Sequence, residues 1–546
     1  MVSLDAPPPR ESLQSRLDVE SVHADQVQAA PFVAAPTVAV AAPAVAAEPQ
    51  IALASKPPAE EPAKKQPAAK KQGELSKRIE SAIARGVRVA RERSKGRVHG
   101  NNCTVAVHVL ELDGRVERLS RLANASLVPA SNLKLITLAA ALAELGPEHQ
   151  FETPFEARGS IAGGRLSGDL VVRAAGDPLY RVDGDGGIDS WAKDVAQQLR
   201  AAGIERVSGD LVLDEGDFLE PGPGPAWPSS REHWKEYCAL SGGFSANAGC
   251  LTAVVKSTRS GTKANVQVRP AGSGLTRRGE VKTVAKRKAL TVAVGATPGR
   301  YTVRGSIPAD VPSYTARFAV PDPVEFFGQT LKSALAKQGL SIAGKVVRER
   351  HAEGGKLVAT MRSALADTVV PILRDSNNSV ADQVFLHLAL RSGKRPNRAG
   401  GQAAVAGALI KLGVSAEGLV QVDGSGLSKQ DRTSPRQLTA LVAAAMARGG
   451  EAARLFREAL PVAGESGKLS NRMRDGAARG RVRAKTGFVN GASGLSGLVE
   501  TQDGRVLAFS ILVNYPHVNG LNTHAFKPMQ DEICEALASV PADGGR

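Results

Sequence analysis

The stretch from Pro129 to Leu142 constrains the fold of this chain more than any other. Pro129 stops a preceding helix, and the Ala- and Leu-rich run behind it favours a new one. Ser131 and Lys134 stand at the front of that run, where residues three apart share one helix face. The free N–H groups of a helix N-terminus suit a developing oxyanion, and an uncharged lysine can take the proton of a serine. The stretch therefore indicates a nucleophile and its base on one short segment.

The Ser-x-x-Lys pattern has little specificity by itself. It also occurs at Ser190 and Lys193 and at Ser260 and Lys263. A single Ser-x-x-Lys match is most often part of a solvent-exposed helix start. The assignment of the first pair therefore depends on motifs further along the chain.

Length and composition allow several folded domains but exclude some classes of function. The chain has 546 residues, of which 42% are hydrophobic, enough for two to four domains with real cores. Aromatic residues are only 4%, so base stacking and nucleic-acid binding are not indicated. The formal charge of +16 fits several acidic partners without choosing among them. The chain has no Cys-x-x-Cys pair, no metal-type histidine spacing and no apolar run of 18 residues, so we expect no metal, no cofactor and no transmembrane helix.

Changes in composition and in the pattern of predicted strands and helices divide the chain into a tail, a helix, a body and an insertion. Pro, Ala, Lys and Glu dominate the start, whereas short strands with Gly and Asp turns fill the middle. We therefore expect an α/β fold with four parts: a disordered tail, 1–73; a basic helix, 74–99; a body, 100–151 and 351–546; and a β-rich insertion of one or two subdomains, 152–350. The basic helix, 74–97 in its strongest part, can either dock on the body or contact an anionic surface.

A Ser-x-Asn motif, Ser376 and Asn378, lies at or near the start of a helix predicted for residues 369–391. On the far wall of a cleft, the hydroxyl can relay a proton to a leaving amine. The amide can hold both Lys134 and a substrate amide. Alone, this pattern is also weak.

A Lys-Thr-Gly motif lies on a predicted edge strand. Gly487 has no side chain, so a substrate peptide can come close and pair with the strand. Lys485 and Thr486 can bind a substrate carboxylate. The positive charge of Lys485 would also lower the pKa of Lys134 and favour its neutral form.

Together the three motifs are far more specific than any one of them. Their order is that of penicillin-binding proteins and class A β-lactamases. The backbone N–H groups of Ser131 and Phe488 would form the oxyanion hole. Between Lys134 and Ser376 lie 241 residues, too many for a compact β-lactamase.

Flanking segments resemble the class C low-molecular-mass penicillin-binding proteins, the D-alanyl-D-alanine carboxypeptidase/endopeptidase family (peptidase family S13). Besides the three motifs, the resemblance is carried by these segments: Pro129 to Thr137, Leu170 with Gly176 to Pro178, Gly209 to Asp214, Asp423 to Leu427, Leu460 to Gly464 and Gly504 to Ser510. It covers roughly residues 100–540. It implies a β-lactamase/transpeptidase-like domain, an antiparallel sheet flanked by helices, with inserted domains between the first two motifs.

The resemblance implies a serine peptidase of the cell wall. It would remove the terminal D-alanine of peptidoglycan stem peptides, or cut their D-alanyl cross-links, through an acyl-enzyme on Ser131. β-Lactams would acylate the same serine. The enzyme would be periplasmic or otherwise extracytoplasmic, although no signal peptide is evident in the sequence. An acidic residue of the insertion would receive the free amino group of the substrate, and Glu220 and Asp217 are the two candidates.

Several alternatives stay open at this point. A serine β-lactamase-like hydrolase would use the same motifs, and a non-catalytic wall-binding protein would use its basic segments. The basic cluster between Arg277 and Lys288 is either a solvated strand face or a polymer-binding surface. Cys238 and Cys250 are close enough in sequence to form a disulfide in an oxidising compartment, or they are buried thiols. The sequence determines neither the oligomeric state nor the balance of the two peptidase activities.

Overall fold

The computed structural model describes residues 68–178 and 187–540, so nearly all of the predicted tail lies outside the described residues. Its helices are α1 Ala68–Arg93, α2 Leu133–Glu144, α3 Ile188–Ala201, α4 Pro323–Lys337, α5 Leu365–Leu373, α6 Asn378–Arg391, α7 Arg398–Lys411, α8 Pro435–Ala447, α9 Gly450–Glu458 and α10 Lys527–Ala538. Its strands are β1 Thr104–Glu111, β2 Glu117–Arg121, β3 Gln150–Ala162, β4 Arg165–Arg173, β5 Arg206–Val207, β6 Leu211–Asp214, β7 Cys250–Lys256, β8 Asn265–Arg269, β9 Thr276–Arg278, β10 Val281–Val284, β11 Ala293–Thr297, β12 Arg300–Pro308, β13 Ser313–Ala319, β14 Ser341–Ile342, β15 Val346–Glu349, β16 Lys356–Ala364, β17 Val482–Val489, β18 Ala492–Glu500 and β19 Val506–Asn514.

A five-stranded antiparallel sheet, with strand order β17-β18-β19-β1-β2, forms the centre of the body. Along β1, Val105, Val107 and Val109 are buried on one face, in the core shared with α1 and α10. Ala106 points to the other face, into a core built with α2, α6 and α8. This alternation is the period of two of a strand that is covered on both faces. The strand that carries Lys485, β17, is at the edge of the sheet.

The basic helix docks on the body through its apolar side. Ile79, Ile83 and Ala90 of α1 are buried in the core shared with α10. At Gly86 the two helices come so close that an added Cβ would lie 2.7 Å from Met529 Sδ. Docking, one of the two possibilities for this helix, is therefore observed, and its basic side chains from Lys77 to Arg93 face solvent.

Strands between residues 150 and 364 form three further sheets. The largest has seven strands: β16, β3 and β4 are antiparallel, and β5, β6, β14 and β15 join in parallel pairs. A three-stranded sheet contains β13, β7 and β8, and a four-stranded sheet contains β9 to β12. Their hydrophobic core includes Trp191, Phe318 and Phe327 and is distinct from the two cores of the body.

One predicted helix is two helices in the structure. The sequence predicted a single helix over residues 369–391, but residues 374–377 separate α5 from α6. Ser376 has a φ of 62°, in the left-handed region that does not continue a helix. The side chain of Asn377 accepts a hydrogen bond from Val380 N and caps α6. The single-helix prediction was wrong because this local cap competes with helix continuation.

The four cysteines are buried free thiols, so the disulfide that was left open for Cys238 and Cys250 is not formed. Burial raises the pKa of both thiols to about 12. Both therefore stay protonated and behave as small apolar side chains. Among the residues that the structure describes, no helix is both long and apolar enough to cross a bilayer.

Candidate active site

Ser131 lies in a tight turn directly before α2. The turn is one 3-10 segment, Ala130–Asn132, and the α-helix begins one residue later. Ala130 has a φ of 49°, a conformation that costs energy for a residue with a Cβ. Asn132 is fully buried, whereas Ser131 is half-buried. The turn therefore keeps the serine accessible while its neighbours anchor it.

Lys134 joins the first two motifs. Its side chain is fully buried. Its Nζ lies 3.1 Å from Ser131 Oγ, 2.6 Å from Asn378 Oδ1 and 2.6 Å from the carbonyl oxygen of Ser425. These three atoms occupy all the hydrogen-bonding positions of the amine.

The three neighbours decide which proton the amine can accept. Asn378 Oδ1 and the Ser425 carbonyl can only accept hydrogen bonds. A neutral Lys134 therefore gives its two N–H groups to them, and its lone pair remains for the Ser131 hydroxyl. The geometry fits Lys134 as the base for Ser131.

The pKa of Lys134 is lowered to about 8. Burial is the main cause, because an ammonium group loses its hydration there, and the buried carboxylates of Asp382, Asp423 and Asp431 oppose the shift. We expected the charge of Lys485 to cause it. Instead, the repulsion between the two lysines lowers the pKa of Lys485. Burial is the main cause of this shift, which takes the pKa well below its usual value, and the charge of Lys134 is the second cause. Burial is therefore what makes the neutral amine accessible near physiological pH.

Lys485 connects the second and third motifs. It is fully buried on β17, and its Nζ donates to Ser376 Oγ at 2.7 Å and to the Thr486 carbonyl at 2.9 Å. Ser376 is half-buried in the break before α6. The three motifs, which are hundreds of residues apart in sequence, thus form one hydrogen-bonded cluster.

The edge strand β17 runs directly beside the Ser131 turn. A Cβ added at Gly487 would lie 2.4 Å from Asn132 Nδ2 and 3.2 Å from Ser131 N. The absence of a side chain at Gly487 was predicted to admit a substrate peptide, but the serine turn fills the space where that side chain would be. The next residue, Phe488, is 50% exposed, and Thr486 is half-buried. This proximity places the strand beside the N–H group of the serine.

Ser425 is a site residue that was not predicted from the sequence, because its contribution is a backbone carbonyl. The loop that carries it is held by Asp423, whose carboxylate accepts hydrogen bonds from three N–H groups within residues 424–428, at 2.6 to 3.0 Å. Asp382 of α6 accepts one more from the same loop at 2.8 Å. The two carboxylates therefore aim the Ser425 carbonyl at Lys134. The Asp-Gly-Ser-Gly sequence was recognisable as a turn, but a carbonyl leaves no signal in a sequence.

A segment of the insertion reaches the site through Tyr237. Its carbonyl accepts a hydrogen bond from Asn378 Nδ2 at 2.7 Å, and its side chain is exposed. The Tyr237 hydroxyl donates to Glu232, which also accepts from Lys235 Nζ at 3.1 Å. The hydrogen bond from Tyr237 is the main cause that lowers the pKa of Glu232. Glu232, charged and paired with Lys235, is therefore bonded to the residue whose carbonyl holds Asn378, and it was not among the sequence candidates.

The structure does not bring Asp217 or Glu220 to the cluster. Asp217 pairs with Arg395 at 3.4 Å, beyond the C-terminal end of α6. The Ser-x-Asn motif is at the N-terminal end of this helix, and its 14 residues span roughly 20 Å. The Glu220 carboxylate is bound by Arg348 at 2.7 Å and by Arg350 at 3.0 Å. The preceding residue, Leu219, donates its N–H to the Pro396 carbonyl beyond the same end of α6, so the two arginines hold the Glu220 carboxylate away from the Ser-x-Asn motif.

Comparison with known proteins decides the family. The model of the D-Ala-D-Ala carboxypeptidase 3 (S13) family matches residues 88–539. The chain belongs to this family. A D-alanyl-D-alanine carboxypeptidase of Actinomadura sp. is similar to this S13 protein, with 32% identity over 440 residues, 77% of this chain and 79% of the relative. The D-alanyl-D-alanine carboxypeptidase DacB of Haemophilus influenzae is 29% identical over 402 residues, 71% of this chain and 80% of the relative.

Solved structures show the same fold. The crystal structure of penicillin binding protein 4 (dacB) from Haemophilus influenzae has a TM-score of 0.66 and 25% identity, and the match covers 80% of this chain and 96% of that chain. The family, the α/β fold class and the enzyme class predicted from the sequence, a D-Ala-D-Ala carboxypeptidase, are therefore confirmed.

Proposed function

We propose that this S13-family enzyme cleaves the terminal D-alanyl-D-alanine bond of peptidoglycan stem peptides, or the D-alanyl bond of their cross-links, through an acyl-enzyme on Ser131. One observation carries the proposal. Lys134, fully buried and bonded to two pure acceptors, has its remaining position directed at Ser131 Oγ, 3.1 Å away. A serine activated in this way attacks carbonyl carbons.

In the proposed acylation, Ser131 Oγ bonds to the carbonyl carbon of the penultimate D-alanine while its proton passes to Lys134. The N–H groups of Ser131 and Phe488 stabilise the oxyanion. The C–N bond to the terminal D-alanine then breaks, and the leaving amine takes up the proton with the Ser376 hydroxyl as relay. Water hydrolyses the ester, which returns the free serine and releases the shortened peptide.

The substrate ends are recognised by two elements. Lys485 and Thr486 on β17 bind the terminal carboxylate, and Gly487 lets this strand approach the serine turn. For the free amino group of the stem peptide we propose Glu232, in place of Asp217 and Glu220. Its segment is bonded to the site through the Tyr237 carbonyl, and its carboxylate is half-buried and charged.

This substrate lies outside the cytoplasm, so we place the enzyme in the periplasm or another extracytoplasmic compartment. Its proposed partners are peptidoglycan and β-lactams. A β-lactam presents its ring carbonyl to the same serine, and opening of the ring leaves the acyl group attached.

Labelling with a fluorescent penicillin tests the proposal. We expect covalent label on the folded wild-type protein and none on Ser131→Ala. Ser190→Ala is the matched control, because Ser190 also precedes a lysine by three residues at a helix start, in α3. It should label like the wild type. Label that survives Ser131→Ala, or wild-type protein that takes up none, would overturn the proposal.

The lifetime of the label and the products of turnover complete the test. A long-lived penicilloyl-enzyme, with D-alanine released from a pentapeptide or cross-links cut in purified muropeptides, is the expected result. Rapid loss of the label with hydrolysed penicillin in solution would instead indicate a β-lactamase.

A further inference from the structure

Positive charge is concentrated in one part of the insertion. Residues 256–309 contain twelve lysines and arginines and one acidic residue, Glu280. They therefore supply most of the formal charge of +16. Glu280 is already engaged, since it forms an ion pair with Lys263 at 2.6 Å. Lys282 and Arg277 also lie near enough to Glu280 to help lower its pKa, and the segment keeps a formal charge of +11, twelve cations less one acid.

The register of the four-stranded sheet collects four of these cations on one face. Along β12, Val303 is buried whereas Arg300 and Arg304 are exposed. Residues 300, 302, 304 and 306 of β12 point to the same face, opposite to Val303. The neighbouring strands pair Arg278 with Thr302 and Lys282 with Ser306, which are two of these positions. Paired residues in a sheet point to the same side. Arg278, Lys282, Arg300 and Arg304 therefore share the solvent face, which we call the basic face.

The other residues of the basic face are small. On β11, residues Ala293, Gly295 and Thr297 are paired with Arg304, Thr302 and Arg300 in turn. No aromatic ring is paired into this face, because Tyr301 lies in the alternate, inward set. The loop after β10 adds Lys286, Arg287 and Lys288, all exposed. The result is an open, cationic surface of basic and small side chains, with the exposed Trp234 at its edge beside Gly295.

The basic face adjoins the active site. A Cβ added at Gly295 would lie 3.9 Å from Cβ of Trp234. Trp234 is 40% exposed and comes three residues before Tyr237, whose carbonyl accepts from Asn378 of the catalytic cluster. A long polymer bound in the cleft can therefore continue across Trp234 onto the basic face.

We propose that the basic face binds the anionic peptidoglycan polymer and holds the enzyme on it beside the bond to be cut. Stem peptides carry free carboxylates at regular intervals along the glycan, and the nearest cations of the basic face are diagonal neighbours, about 7 to 8 Å apart, so they present a row of separate positive charges to such repeated carboxylates. This inference rests on the proposed function, because the cleft and the basic face would then hold one substrate.

Co-sedimentation with purified sacculi tests the inference on the full chain. The variant Arg278→Gln, Lys282→Gln, Arg300→Gln, Arg304→Gln removes the four cations from exposed positions. The control Lys77→Gln, Arg78→Gln, Arg91→Gln, Arg93→Gln removes the same charge from the exposed side of α1. We expect binding that weakens with salt, a loss of at least about tenfold in the sheet variant, and near wild-type binding in the control.

Two further measurements separate the possible outcomes. Acylation by soluble penicillin should be unchanged in the sheet variant, which shows that it is folded and that the catalytic proposal is tested independently. A second variant, Lys286→Gln, Arg287→Gln, Lys288→Gln, touches no strand and should weaken sedimentation in the same direction. Equal sedimentation of wild type and sheet variant would overturn the inference. Salt-sensitive binding to phosphatidylglycerol vesicles but not to sacculi would also overturn it and indicate a membrane surface.

Discussion

At the residue scale, the chemistry depends on how a buried lysine is kept close to neutrality. Burial lowers the pKa of Lys134 to about 8, against the attraction of three buried aspartates. The neutral amine is the reactive form in the proposed mechanism, and its fraction grows as pH rises through the pKa. The rate of acylation by penicillin should therefore rise between about pH 7 and pH 9 and then level off.

Asp382→Asn tests more directly how the nearby carboxylates oppose the effect of burial on the pKa of Lys134. Burial and the neighbouring Asp423 raise the pKa of Asp382 itself to about 8, so its charge develops over the same pH range as that of Lys134. In its charged form Asp382 raises the pKa of Lys134, so its removal should lower that pKa and move the rise in acylation to lower pH. Asparagine keeps an oxygen for the loop N–H that Asp382 accepts at 2.8 Å. Rates of penicillin acylation measured across pH give the midpoint.

The control for this substitution is Asp194→Asn, which removes an exposed charge from α3. It should leave the midpoint where it is, since exposed charges are screened. An unchanged midpoint in Asp382→Asn, or a shift to higher pH, would contradict the role given to these carboxylates.

Site residues were predictable from the sequence where local helix geometry brings them together, and not where the path of the insertion does. Ser131 and Lys134 are separated by one helical turn, so their proximity was predictable from local geometry. Glu220 and Asp217 were chosen from sequence position alone, and the structure shows each bound by basic groups elsewhere. Which acid approaches a cleft depends on the path of the insertion, and no local pattern records that path.

At the level of elements, the site depends on two strands and a turn that pack at very short distances. Gly487 of β17 and Gly494 of β18 are paired in register. Added Cβ atoms at these positions would lie 2.4 Å and 2.2 Å from the same atom, Asn132 Nδ2. The two glycines therefore form the seat for the buried residue next to the nucleophile.

Gly494→Ala should disturb this seat without touching a reactive group. The methyl group would push on Asn132 and displace Ser131, so we expect at least a tenfold slower penicillin acylation and a loss of about 1–3 kcal/mol in the free energy of unfolding. Acylation kinetics and urea unfolding measure the two effects.

Gly407→Ala is the matched control for this change. Gly407 lies in α7, an added Cβ there meets no atom within 4 Å, and its φ is not positive. Alanine should therefore stabilise the helix by about 0.5–1 kcal/mol and leave acylation unchanged. Wild-type acylation in Gly494→Ala would mean that the seat does not position the serine.

The elements themselves were predictable where their signals are local. The sequence predicts helices over residues 188–202 and 324–338, and the bounds of α3 and α4 lie within one residue of these, because each is a long amphipathic run. The break at residues 374–377 was missed, because the positive φ of Ser376 goes with its hydrogen bond from Lys485, a tertiary contact that no local pattern records. The capping preference of Asn377 was the one available signal.

At the scale of the whole molecule, α1 connects the start of the described chain to its end. The family match begins at residue 88, so most of this helix precedes it. Its apolar residues share a core with α10 and with one face of the central sheet, whereas α2 and its serine turn pack on the opposite face. The helix therefore contributes to stability from a position remote from the chemistry.

Ile79→Ala should lower the stability of the protein without changing its rate of acylation. Ile79 is fully buried, and its truncation leaves a cavity between α1 and the core, so the free energy of unfolding should fall by about 2–5 kcal/mol. The rate of penicillin acylation at a temperature well below unfolding should stay at the wild-type value. Ser81→Ala, on the exposed side of the same helix, should change neither quantity. Wild-type stability in Ile79→Ala would mean that the helix is not held against the body in solution, and its basic side chains would then be free to engage another surface.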